Sequence, residues 1–145
     1  GAGNLGLAHG LAGLLEIELD MEHALAVGAL MPRVVRFNAP VAGPMMADLA
    51  AALGVETTTG DPEQDAIKIE TSLFEIYRAI RFPKYFDARM FDPELIPEMA
   101  MAAGKGINGE GYLETPPIRQ SLIPSSNRRR ATIREAEELF EQCFA

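Results

Sequence analysis

The chain is poor in features that would place it outside the cell, in a membrane or on nucleic acid. It has one cysteine, Cys143, so no internal disulfide can form and nothing points to an oxidising compartment. No apolar run reaches the roughly 18 residues that a membrane span needs. The first residues show no charged segment followed by an apolar one, so no signal peptide is expected. Positive charge is scarce: 13 Lys and Arg against 21 Asp and Glu leave a net charge of −8. Such a balance argues against phosphate backbones and anionic lipid surfaces as partners. A cytoplasmic location is the expectation. The one basic run, Arg128-Arg129-Arg130, reads as a solvated stretch.

Alternating, strand-like patterning is also scarce, and helical spacing dominates. With 145 residues, 48% hydrophobic and 23% charged, the chain fits a single folded domain over 1–145. A first helix is predicted from about Asn4 to Leu15. Gly6, Gly10 and Gly13 interleave there with Leu5, Leu7, Leu11 and Leu14. Each glycine inside a helix costs about 1 kcal/mol relative to alanine, so this helix should have a close neighbour or ligand. Asp20 reads as the N-cap of a second helix that runs towards Phe37, is kinked or divided at Pro32, and stops before Asn38-Ala39-Pro40. A third helix spans about Pro44 to Leu53, closed by Gly54. Asp61-Pro62 opens a fourth, which carries Ala66, Ile69, Leu73, Ile76 and Ile80. Asp92-Pro93-Glu94 repeats that signal for a fifth, through Ile96, Met99 and Ala103. Gly104 to Arg130 reads as loop. A capping box, Thr132 with Glu135, starts the last helix, with Ile133, Ala136, Leu139, Phe140 and Cys143 inward. The expected fold is all-α, with about six helices and no sheet.

Chemistry-bearing residues are few. Walker and dinucleotide loops are absent, and Gly104-Lys105-Gly106 and Gly109-Glu110-Gly111 read as turns. Met45, Met46, Met99 and Met101 read as core filler. Cys143 has no histidine near it in sequence, which argues against a thiol nucleophile. The two histidines, His9 and His23, are fourteen residues apart. If the two first helices form a hairpin, both imidazoles can aim at one point, and imidazole is a common ligand for iron, zinc and nickel. Between them Glu16, Glu18, Asp20 and Glu22 alternate with apolar residues. This run reads as a solvated connector; a supplementary cation site with His23 would use Asp20 and Glu22.

The wording around the histidines is more specific. Gly6-Leu7-Ala8-His9-Gly10-Leu11-Ala12, Glu22-His23-Ala24 and Leu30-Met31-Pro32-Arg33-Val34-Val35-Arg36-Phe37-Asn38 resemble, without a gap, the iron-containing alcohol dehydrogenases. Further segments support the resemblance by order and spacing: Ala47 to Gly54, Asp92 to Ala100, Asn127-Arg128, and Thr132 to Glu135. The resemblance implies the C-terminal, metal-binding helical domain of a dehydroquinate synthase-like enzyme. It makes His9 and His23 ligands of Fe2+, or of Zn2+ as in some members. In that family the metal polarises an alcohol or aldehyde oxygen, and hydride passes to NAD(P) held by an N-terminal domain. An Asp-x-x-x-His pair supplies the family's other two ligands, and these 145 residues contain no such pair.

Three departures from the family wording stand out. Gly13 stands where many members have a histidine, Glu22 and Ala24 replace a proline and a glycine, and Arg33 replaces another histidine. The leading expectation is thus the metal and substrate half of an alcohol dehydrogenase whose nucleotide-binding half lies upstream. A second reading is a non-catalytic binding or assembly module with a vestigial metal site. A third is a sibling such as glycerol dehydrogenase or dehydroquinate synthase, against which Arg36-Phe37-Asn38 weighs. The glycine-rich face of the first helix, if uncovered, predicts self-association.

Overall fold

The computed structural model describes residues 6–57, 60–105, 123 and 126–144. Among them are six α-helices, a short 3-10 turn at Ala88–Met90 and no strand, as expected for an all-α chain. The helices are α1 (Leu7–Leu19), α2 (His23–Ala42), α3 (Pro44–Ala52), α4 (Pro62–Ala79), α5 (Leu95–Lys105) and α6 (Ile133–Cys143). α2 is the pillar: α1, α3, α4 and α6 pack on it, and α5 links α1 to α6. Two apolar clusters follow. One joins α1, the first half of α2, α5 and α6, with Leu11, Leu15, Leu30, Met99, Ile133 and Phe140 fully buried. The other joins the end of α2 to α3 and α4 through Ala39, Ala42, Met46, Ala50, Ala66 and Ile69. No described helix is long and apolar enough to cross a membrane.

Local signals placed several helix starts correctly. Asp61 caps α4 by accepting from the Gln64 amide at 3.0 Å, with Pro62 next. Thr132 and Glu135 form the reciprocal capping box of α6. Asp92 acts one step earlier than predicted: its carboxylate accepts from the Glu94 amide in a turn, and α5 begins at Leu95.

The hairpin of α1 and α2 differs from the reading. α1 continues past Leu15 to Leu19. Asp20 does not cap α2; it closes α1 in the left-handed conformation, with φ 49°. Aspartate tolerates that region better than most residues because its short side chain can bond locally. Glu22 takes the N-cap position of α2.

α2 is also unbroken through Pro32 and Pro40. Proline in a helix removes the N–H that would bond the carbonyl four residues back. For Pro32 that carbonyl belongs to Gly28, and the Tyr77 hydroxyl of the α4 helix donates to it at 2.7 Å. A side chain from another helix thus replaces the lost bond, and the helix need not divide. Past Asn38, burial of Ala39 and Ala42 in the second cluster carries α2 on to Gly43.

Several side chains fall elsewhere than the pattern predicts. Ile76 and Ile80 are exposed while Tyr77 is buried between them. Met46 and Met99 are core residues, whereas Met45 is exposed. Gly104 belongs to α5, not to a loop, and a β-carbon there would press on Ile133 of α6. Lys105 ends the same helix; of the remainder of the predicted loop only Ile123 and residues 126–130 are described, and Gly106 and Gly109–Gly111 lie outside the described residues.

The segments Arg36-Phe37-Asn38 and Asn127-Arg128-Arg129 come together. Asn38 and Asn127 exchange side-chain amide bonds at 3.1 and 2.6 Å. Arg129 lies 3.9 Å above the Phe37 ring, bonds the Phe37 carbonyl and pairs with Glu135 at 2.9 Å. Arg128 and Arg130 are exposed as predicted, but Arg129 is a tie between the C-terminal segment and α2.

Candidate functional site

The turn at Asp20 brings His9 of α1 and His23 of α2 side by side. Their rings stack with centroids 5.1 Å apart and an angle of 28° between planes. Both residues are exposed. His9 lies early on α1, and Gly13 follows it by one turn on the same face. His23 is the first residue of α2, so its ring is free of the helix barrel.

A third group belongs to this cluster. Glu16 Oε1 lies 2.6 Å from His23 Nδ1. The pattern reading missed it because the helix was ended at Leu15, which put Glu16 in the connector. The usable signal is spacing: Glu16 follows His9 by seven residues, close to two turns, so one helix face carries both. Asp20 is taken up by the turn, and Glu22 is an exposed N-cap without a side-chain cap bond. Among the described residues no group of three or more His, Cys, Asp or Glu is arranged to hold a metal.

Arg33 is remote from the pair. It lies ten residues beyond His23 on α2, a rise of about 15 Å. It is buried, donates to the carbonyls of Ala29 and Lys84, and lies over the Phe74 and Tyr85 rings at 5.4 and 5.3 Å. Its contacts make it a brace between α2 and the segment after α4.

Cys143 is equally remote from solvent. Its thiol donates to the Leu139 carbonyl at 3.4 Å. Burial pushes the thiol up to about 11 from an ordinary 9.0, with the Arg33 charge opposing. A folded state that keeps its proton longer than the unfolded chain gains stability from it. That gain is complete below about pH 9 and disappears as pH rises towards about 11. Burial raises Tyr77 in the same direction. Urea denaturation across this window should therefore show wild-type stability falling more steeply than that of Cys143→Ala. Parallel pH curves would contradict the assignment.

Comparison with known proteins defines the class. Residues 1–116 match the Fe-containing alcohol dehydrogenase family, C-terminal. The chain belongs to that family. It is 26% identical over 140 residues to the lactaldehyde reductase of Escherichia coli K12, covering 97% of this chain and 33% of that protein. It is 32% identical over 85 residues to the methanol:N,N-dimethyl-4-nitrosoaniline oxidoreductase of Amycolatopsis methanolica, covering 59% of this chain and 20% of that protein. A crystal structure of 1,3-propanediol oxidoreductase superposes with a TM-score of 0.71 at 27% identity, over 97% of this chain and 33% of that one. The chain thus spans about a third of the length of the lactaldehyde reductase and of that structure.

Proposed function

We propose that this chain is the metal- and substrate-binding part of an NAD(P)- and iron-dependent alcohol dehydrogenase, with His9 and His23 as metal ligands. The observation that carries the reading is their convergence. Two residues fourteen apart in sequence meet on the two arms of a helical hairpin, with rings 5.1 Å apart. The names of the relatives point to small alcohols or aldehydes as the substrate class.

The donor chemistry fits. Neutral imidazole suits Fe2+ and Zn2+, and both rings are open to an incoming ion. Two donors do not complete a shell, so the remaining ligands come from another part of the enzyme. When bound, the metal supplies Lewis-acid polarisation of a substrate oxygen. This chain's part is positional. The α1–α2 hairpin sets the spacing of the two rings, and Gly13, one turn from His9 on the same face, puts no side chain of its own beside them. The nicotinamide is held outside these helices.

The test is alcohol-dependent NAD(P) reduction by the metal-loaded protein that carries this chain. Replacing His9 or His23 by alanine is expected to lower kcat/KM at least about 100-fold, the scale of a lost Lewis acid. Activity indifferent to both changes would sink the ligand assignment. One competing reading, a helical assembly module with a vestigial site, rests on Gly13 standing where many family members carry a histidine. That reading predicts a folded protein without turnover or metal uptake.

A further inference from the structure

We infer that Glu16 is a positioning residue: its carboxylate fixes which nitrogen of His23 faces the metal. The inference rests on the metal reading above and extends it beyond the donor pair. Glu16 Oε1 lies 2.6 Å from His23 Nδ1. An ionised carboxylate only accepts, so Nδ1 carries the hydrogen and donates it. A neutral imidazole has a single N–H, which leaves Nε2 with a free lone pair. A metal requires that lone pair, and a carboxylate on the opposite nitrogen makes it more basic.

The fold gives this role to Glu16 and not to the neighbouring acids. Glu16 and His9 share one face of α1. The left-handed turn at Asp20 folds His23 back onto that face, beside both. Glu18 points to solvent, Asp20 makes the turn, and Glu22 is exposed at the head of α2. The His23 and Glu16 side chains are 56% and 33% exposed, so water competes for the bond. The effect should therefore fall at the lower end of the 10- to 100-fold typical of such partners.

Two readouts test this. Long-range proton–nitrogen NMR on the metal-free chain, at about pH 8 where an unperturbed imidazole is neutral, reports each ring's tautomer. The expected result is His23 protonated on Nδ1 in the wild type and mainly on Nε2 in Glu16→Ala, with His9 unchanged. Calorimetric titration with zinc should then show binding about tenfold weaker in Glu16→Ala. Glu16→Gln should fall between, because its amide oxygen still accepts but its amide nitrogen can also donate to Nδ1. An unchanged His23 tautomer in Glu16→Ala overturns the inference, whatever zinc does. So does a changed tautomer with unchanged zinc affinity, since Glu16 would then order the ring without serving a metal. Failure of the wild-type chain to bind zinc overturns the metal reading and this inference with it. Differences confined to the Glu16 variants bear on the inference alone.

Discussion

Alanine at Gly28 is expected to destabilise the chain by about 1–3 kcal/mol, although glycine is the poorer helix former. Propensity alone predicts the opposite sign, since Gly→Ala in a helix interior gains about 1 kcal/mol. Two features of the structure decide against it. A β-carbon at Gly28 would run into the end of the Phe82 ring. That ring cannot retreat freely, because Tyr77 packs against it with centroids 4.5 Å apart. Tyr77 in turn donates to the Gly28 carbonyl that Pro32 leaves without a helix partner. Displacing Phe82 thus strains the bond that keeps α2 continuous. A stranded buried carbonyl costs a further 1–3 kcal/mol, roughly, if that bond is lost. Urea denaturation of Gly28→Ala, Phe82→Leu and the double variant measures this. The alanine should cost clearly less in the Phe82→Leu background. A neutral or stabilising Gly28→Ala would show that α2 and the segment after α4 are not in close contact there.

The same region explains which parts of the fold were legible. Helix starts at Asp61-Pro62 and Thr132 were readable because their caps are made by residues three positions apart. The continuity of α2 was not, because the group that rescues Pro32 is Tyr77, 45 residues further along the chain. Asp20 was misread for a related reason. An aspartate before a helix and one after a helix look alike in sequence, and the left-handed backbone that distinguishes them follows from how α1 and α2 pack. Ending α1 at Leu15 then hid Glu16. The Arg36-Phe37-Asn38 and Asn127 to Arg129 segments were legible as family wording but not as contacts. Their amide exchange joins positions 89 apart in the chain. Arg33 stands out in the sequence as a departure from a family histidine, and the structure makes it a buried brace some three turns from His23. The histidines themselves were legible, being the only two in the chain.

Loss of either histidine is expected to have the second large effect. On the proposed ligand assignment each imidazole is one of two donors, so removing one leaves a single exposed ring that holds a divalent ion little better than free imidazole does. A loss of at least 10- to 100-fold in affinity, roughly, is expected on either arm, since even an outer-shell partner is worth that much. The fold should be untouched, because both residues are exposed and neither belongs to the apolar clusters. The two losses should also not add. Once one donor is gone, the second has no partner with which to chelate, so the double variant should bind as weakly as each single one.

Titration of zinc or iron(II) into this chain, with His9→Ala, His23→Ala and the double variant alongside, tests the account most directly. The account predicts weak but measurable binding of one ion to the wild type, and a sharp, non-additive loss in all three variants with their helical content intact. Binding that survives both substitutions, or that depends on His9 and His23 independently, would contradict it.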